Sequence, residues 1–294
     1  MRIFVTGCRG QLGRDVMETL SERHTTAGLD LPELDIADPE AVRRRLAPFA
    51  PEAIVNCAAY TRVDDAERDP AAAERVNAAG VAVLAAYAAA APCRLIHIST
   101  DYVFDGAREP PQPYLESDAP APLSVYGRTK LAGERAVAAS GARAAVLRTA
   151  WLYGRHGANF LKTILRRTLA APDRPLRVVN DQYGSPTWSW RLARQIAAVL
   201  EAGAEGLFHA TAEGACTWFE LARRFLEEMG LPQRLRPCAS AEYPTAARRP
   251  RNSILENARL KAAGLNVMVA WDADLREYVR RYREALLAEA CERT

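Results

Sequence analysis

The chain has 294 residues, 49% of them hydrophobic and 26% charged, with a formal net charge of +3 and a pI near 8.6. This composition supplies a sizeable core, in one large or two intimate domains, and shows no clustering of Lys and Arg that would mark a nucleic-acid surface. The six cysteines show no Cys-x-x-Cys spacing, which argues against a zinc site or a disulfide framework and for free thiols in a reducing cytoplasm.

Met1-Arg-Ile-Phe-Val-Thr-Gly7 is too short an apolar run for a signal peptide, and no run approaches the roughly 18 residues of a membrane span. The sequence therefore predicts a cytoplasmic protein without membrane or nucleic-acid partners. The four histidines are scattered, and His97, inside an apolar run, reads as a hydrogen-bonded core residue; no catalytic histidine is assigned.

Ile3 to Thr6 reads as a buried strand, followed by Gly7-Cys-Arg-Gly-Gln-Leu-Gly13 and a helix from Gln11 to about Ser21 with Leu12, Val16 and Leu20 on one face. The glycines Gly7, Gly10 and Gly13 let backbone amides approach a pyrophosphate at the helix N-terminus, where the partial positive charge favours an anion. A second strand, Thr26 to Leu29, ends in Asp30. That carboxylate either accepts the adenosine ribose hydroxyls of NAD or simply closes a turn, and Arg9 in the glycine loop could offset its repulsion of a 2′-phosphate. The cofactor is thus NADPH or NADH, with NADH slightly favoured on charge.

A helix from about Pro39 to Leu46 and a strand at Ala53 to Asn56 continue the alternation. Asp35 and Ile36 could border the adenine, although a capping role competes for Asp35. The small residues of Asn56-Cys-Ala-Ala-Tyr-Thr61 would let a dinucleotide lie against the backbone, with Thr61 as a polar contact. A long helix from about Val63 to Ala91 is punctuated by Pro70 and Gly80; strands follow at Arg94 to Ser99 and at Ala144 to Arg148. This rhythm predicts an α/β fold, a Rossmann-type doubly wound parallel sheet over residues 1–150. Residues 151–294 are expected to form mainly a smaller mixed α/β substrate-binding lobe, interleaved with the last sheet elements.

Between the last two strands lies Ser124-Val-Tyr-Gly-Arg-Thr-Lys130. On a helix, Tyr126 and Lys130 share one face about a turn apart, and an ammonium beside a phenol favours the phenolate, making the tyrosine a better acid. Such a pair is common by chance on solvated helices. Its weight comes from the glycine loop and from Ser99-Thr100-Asp101 at the end of the fourth strand, where Thr100 can hold a carbonyl oxygen beside Tyr126. In this reading Thr100 positions, Tyr126 donates a proton, and Lys130 lowers the tyrosine pKa and reaches the nicotinamide ribose.

The segments Thr-Gly-x-x-Gly-Gln-Leu-Gly13, Ser-Thr-Asp-Tyr-Val-Phe-Asp-Gly106, Val-Tyr-Gly-Arg-Thr-Lys-Leu-Ala-Gly-Glu134, Arg-Thr-Ala-Trp-Leu-Tyr153 and Asn-Asp-Gln-Tyr-Gly-Ser-Pro-Thr187, in this order, resemble the dTDP-4-dehydrorhamnose reductases of the extended short-chain dehydrogenase/reductase superfamily. The resemblance runs from Met1 to about Leu255. It implies NAD(P)H-dependent reduction of the 4-keto group of dTDP-4-dehydro-L-rhamnose, the last step to dTDP-L-rhamnose for surface polysaccharide, with a dTDP-sugar as the binding partner.

The resemblance assigns catalysis to Thr100, Tyr126 and Lys130. It assigns the dinucleotide to Gly10, Gln11, Leu12, Asp30, Asp35, Ile36, Ala59, Tyr60 and Thr61. Tyr102 or Val103 and Trp151 would touch the sugar, Trp151 by stacking on its apolar face where a core role competes. Asn159 and the Arg249-Pro-Arg-Asn252-Ser253 segment would hold the diphosphate, with a solvated basic loop as the competing reading of that segment.

Related 4,6-dehydratases are similar but carry Thr-Asp-Glu, and tyrosine at position 102 disfavours elimination. Some members of the family pair through a magnesium-linked, glutamate-rich interface. Here Pro186-Thr-Trp-Ser-Trp190 supplies aromatics instead, and Asp15 alone is a poor magnesium site, so no metal is expected to be obligatory and the chain is read as a monomer or weak homodimer. Two alternatives stay open. One is reduction of another dTDP-4-keto-deoxy sugar; the other is a non-catalytic NADP-binding subunit resembling the regulatory partner of methionine adenosyltransferase.

Overall fold

The computed structural model describes residues 1–292, so the last two positions of the second expected lobe lie outside the described residues. A six-stranded parallel sheet organises the molecule. Its strands are β1 (Arg2–Thr6), β2 (Thr25–Leu29), β3 (Ala53–Asn56), β4 (Arg94–Thr100), β5 (Arg143–Thr149) and, after four short strands, β10 (Gly206–His209), in the spatial order β10-β5-β4-β3-β1-β2. All five pairings are parallel, which makes this a Rossmann-like α/β fold.

The period-2 alternation of β1 explains its burial on both faces. Ile3 and Val5 enter one core with Leu12 and Val16 of α1 (Gln11–Ser21) and Leu192 and Ile196 of a later helix. Phe4 enters the other, with Leu46 of α2 (Pro39–Leu46) and Leu84. Each fully buried leucine such as Leu46 contributes roughly 2 kcal/mol.

The helix expected over 63–91 is broken into α3 (Val63–Arg68), α4 (Pro70–Glu74), a π-helical turn (Arg75–Gly80) and α5 (Val81–Ala90). Pro70 supplies no amide donor, and the Asp69 side chain caps Ala72 N at 3.0 Å, so the chain restarts there. Asn77, fully buried in the π turn, donates to Tyr60 O and to Thr129 Oγ1 and accepts from Tyr60 N. It thereby ties the loop after β3 to α6 (Val125–Ala139), the helix that carries Tyr126.

The remaining elements are β6 (Leu152–Tyr153), α7 (Phe160–Ala170), β7 (Leu176–Val179), β8 (Tyr183–Gly184), β9 (Thr187–Trp188), α8 (Ser189–Glu201), β11 (Cys216–Thr217), α9 (Trp218–Glu228), β12 (Leu235–Cys238), α10 (Ala258–Ala262) and α11 (Trp271–Glu292). The short strands pair as β6 with β9, β7 with β12 and β8 with β11. Tyr153, Leu161, Trp188, Phe225, Leu275 and Tyr278 form a core of their own above the carboxyl ends of the sheet strands. Strand β10 returns to the main sheet, and α8 packs on α1. Among the described residues no helix is long and apolar enough to cross a membrane.

Candidate active site

The order of strands across the sheet reverses between β1 and β3, and such a switch point opens a crevice at the carboxyl ends of the strands. A cleft of about 460 Å³ lies there, lined by Gly10, Gln11, Leu12, Gly13, Ala59, Thr61, Thr100, Tyr102, Tyr126, Lys130 and Trp151 among the expected residues.

The glycine loop forms its floor. A side chain at Gly13 would place a Cβ 2.1 Å from Gly7 O, so only hydrogen lets α1 start this close to the loop. The N-cap Gly10 offers no side-chain cap, and the first turn of α1 holds no acidic residue. Unclaimed amides at a helix N-terminus facing a cleft suit the pyrophosphate of a dinucleotide, and Lys130 on the same cleft suits its nicotinamide ribose. The residues present fit NAD(P).

Catalytic placement follows from β4 and α6. Thr100 is the last residue of β4, and the Ser124 side chain caps α6 by accepting from Gly127 N at 3.1 Å, which sets Tyr126 in the first turn beside it. Burial pushes the Tyr126 phenol above its usual range, the Thr100 hydroxyl pulls it back, and Asp101 and Tyr102 push it further up. The Tyr102 ring meets the Tyr126 ring edge-on at 5.7 Å.

Lys130 corrects one expectation. Its Nζ donates to Ile98 O at 2.6 Å, and it is not among the groups that shift Tyr126. The four-residue spacing puts both residues on the cleft, but the carbonyl at the end of β4 competes for the ammonium. Burial also pulls Lys130 itself down to about 8, against the opposing pull of Glu134 and Cys57.

Asp101 was not singled out from the sequence, yet it lines the cleft and is fully buried. Burial lifts its carboxyl to about 6, while the hydroxyls of Ser253 and Thr100 hold it down. Its Oδ1 accepts the Thr100 hydroxyl at 3.0 Å, so Thr100 must turn from Asp101 before it can donate to a substrate oxygen.

Trp151 sits at φ +47°, a conformation that a bulky residue adopts only when its surroundings impose it. Its ring stacks on Trp218 with centroids 3.5 Å apart. Trp218 was not singled out from the sequence. The Thr217 capping box fixes it at the first position of α9, a tertiary pairing that no periodicity announces. Beyond Trp218 a pocket of about 270 Å³ adjoins, lined by Arg167, Arg177, Arg249, Gln182 and apolar side chains. Arg249 is anchored by Asp64 at 2.9 Å.

The other expected residues do not line the cleft. Gly7 donates its N–H to Leu29 O, and Asp30 accepts from Arg9 N at 3.0 Å and Leu31 N at 2.9 Å. Asp35 accepts from Ala37 N and pairs with Arg75; Ile36 is buried against the position of Gly80. Tyr60 is held by Asn77, and Val103 packs with Phe104, Tyr114 and Leu131. Asn159 caps α7 and donates to Gln11 Oε1 and Gly154 O. Asn252 is fully buried, donating to Arg108 O and Gln112 O and accepting from Ile254 N, so its side chain braces the loops.

Asp15 accepts the Ser189 hydroxyl, and burial raises its carboxyl to about 6. No group of three or more His, Cys, Asp or Glu side chains is gathered as a metal site among the described residues. His97 is bonded to Asn56 Nδ2 at 3.1 Å in the core.

A parallel sheet with an uncapped glycine-led helix at its switch point, and a Thr-Tyr-Lys set on the neighbouring strand and helix, defines a nicotinamide-dependent reductase of the extended short-chain type. The chain belongs to the family described as the RmlD substrate binding domain, whose profile matches residues 1–284. It is 43% identical to a dTDP-4-dehydrorhamnose reductase of Mycolicibacterium smegmatis, over 95% of this chain and 85% of the relative. It is 42% identical to a dTDP-4-keto-6-deoxy-D-glucose reductase of Streptomyces niveus, over 93% and 95%. Among solved structures, a dTDP-4-dehydrorhamnose reductase of Bacillus anthracis in complex with NADP superposes with a TM-score of 0.91 at 35% identity, covering 95% of this chain and 99% of that one.

Proposed function

We propose that the protein reduces the 4-keto group of dTDP-4-dehydro-β-L-rhamnose to give dTDP-β-L-rhamnose, using NADH or NADPH. The observation that carries this reading is the convergence of Thr100, Tyr126 and Lys130 on one cleft between the glycine loop and the Trp151–Trp218 stack. When bound, the reduced nicotinamide supplies the hydride.

Tyr126 Oη gives its proton to the oxygen that becomes the C4 hydroxyl. Thr100, turned from Asp101, holds that oxygen in reach, and Lys130 on the same cleft holds the nicotinamide ribose. Tyr102 offers no carboxylate to remove a ring proton, which favours reduction over elimination. The indoles of Trp151 and Trp218 supply an apolar wall for a deoxy sugar, and the arginines of the adjoining pocket suit a diphosphate. The residues carried over for catalysis and binding belong to this proposal, as do a dinucleotide-binding part over 1–150 and a mainly substrate-binding part beyond it.

Loss of reduced-nicotinamide absorbance with that substrate is the test; no turnover with either cofactor refutes it. A second reading, reduction of another dTDP-4-keto-6-deoxy sugar, is favoured by the Streptomyces niveus relative and separable by competing substrates in one assay. An intact Thr100, Tyr126 and Lys130 set disfavours a non-catalytic regulatory role. A cytoplasmic location and a monomer or weak homodimer complete the proposal.

A further inference from the structure

Beside the carboxyl end of β2 the structure adds Glu33 to the Asp30 and Arg9 already named from the sequence. Asp30 spends one bond from each oxygen on the backbone, to Arg9 N and Leu31 N, and both oxygens retain acceptor capacity toward a ribose hydroxyl. The Arg9 side chain leaves the glycine loop and is held in a direct ion pair by Glu33, with both side chains partly exposed. Glu33 is itself fixed beside Asp30, since its N–H donates to Asp30 O at 2.9 Å. Two further cations border the group: Arg14, whose Nε donates to Arg9 O at 3.1 Å, and Arg45 of α2, whose charge reaches Glu33.

We propose that Glu33 is a specificity-determining residue that favours NADH by holding Arg9 away from the ribose. This rests on the reading of the cleft as a dinucleotide site. A 2′-hydroxyl can donate to Asp30 while the Arg9–Glu33 pair stays closed. A 2′-phosphate brings roughly two negative charges toward two carboxylates, and the guanidinium suited to grip it is already engaged. NADPH therefore binds only after Arg9 is taken from Glu33.

The test uses the full chain and two probes without nicotinamide, adenosine 2′,5′-bisphosphate and 5′-AMP, titrated calorimetrically at low ionic strength where exposed charges are least screened. The native chain is expected to have the higher kcat/KM with NADH. Glu33→Gln should raise the affinity for the bisphosphate relative to AMP by roughly three- to tenfold, and raise the NADPH-to-NADH ratio of kcat/KM in parallel. Adding Arg9→Gln should cancel that gain.

An unchanged ratio in Glu33→Gln overturns the inference. A gain that survives Arg9→Gln does so too, because the effect would then be lost repulsion alone, and so does a native preference for NADPH. If neither probe nor NADH binds the folded native chain, the dinucleotide reading itself falls. Binding with a ratio that Glu33→Gln does not move removes only the role of Glu33.

Discussion

Replacing Arg148 with Met should destabilise the protein by about 3 kcal/mol, because it strands a carboxylate under the active site. Arg148 on β5 makes a two-point ion pair with Glu134 on α6, Nε to Oε1 at 2.9 Å and Nη2 to Oε2 at 2.6 Å. The two side chains are 3% and 8% exposed. Methionine keeps an apolar stem but removes the guanidinium, whose carbon lies 5.0 Å from the centre of the Phe104 ring.

Removing one partner of a buried pair costs about 3–5 kcal/mol. The low end applies here because Glu134 keeps the Ser99 hydroxyl and faces the Lys130 charge. The double variant Arg148→Met/Glu134→Leu removes both desolvated charges and should return to within about 1 kcal/mol of the native chain. Urea unfolding followed by circular dichroism measures both. The reasoning is refuted if the single variant costs less than about 1 kcal/mol, or if the double variant is no more stable than the single one. Glu134 lies one turn beyond Lys130 and Ser99 precedes Thr100, so the folded single variant should also show a lower kcat.

Tyr126→Phe should lower kcat by roughly a hundredfold or more while largely retaining cofactor affinity by fluorescence titration; equal turnover would remove it as the proton donor. Gly13→Ala should abolish cofactor binding, since its Cβ would fall 2.1 Å from Gly7 O and force the loop apart; an NADH titration matching the native chain would contradict this. Gly184→Ala would put a Cβ 2.4 Å from Trp151 Cε2, displacing that indole and raising KM for the sugar nucleotide more than KM for NADH.

Activity and stability should diverge at high pH. Burial brings Lys130 to about 8 from 10.5, so kcat/KM should fall as pH rises past about 8, when the ammonium is lost. Between those two values the unfolded chain binds more protons at this lysine than the folded one. Stability from this group therefore rises over the same window, by roughly 3 kcal/mol in all. A Lys130→Met chain that still loses stability-corrected activity above pH 8 would assign the limb to another group.

The sheet was legible because its signals are local. Strands such as Ile3 to Thr6 and Ala53 to Asn56 are short apolar runs punctuated by glycine turns and amphipathic helices, and every expected strand of the first half is present. The helical stretch over 63–91 carries its punctuation in Pro70 and Gly80, and its segments divide at both. What no local pattern announces is the π-helical turn between them and the packing of its Asn77 against Tyr60 and Thr129. Asp101 and Trp218 escaped notice for a similar reason. One is a buried acid just past β4 that is hydrogen-bonded by Ser253, far away in sequence, and the other gains meaning only by stacking on Trp151.

The sequence by itself determined the strand and helix rhythm, the glycine loop and the spacing that sets Tyr126 and Lys130 on one helix face, since each depends on neighbours within a turn or a strand. Tertiary structure decided what those groups do electrostatically. It turned Lys130 to Ile98 O, gave the Thr100 hydroxyl to Asp101, placed Asn252 as a brace and closed Glu33 on Arg9. Burial and hydrogen-bond competition depend on groups brought together from distant parts of the chain, and no local pattern encodes them.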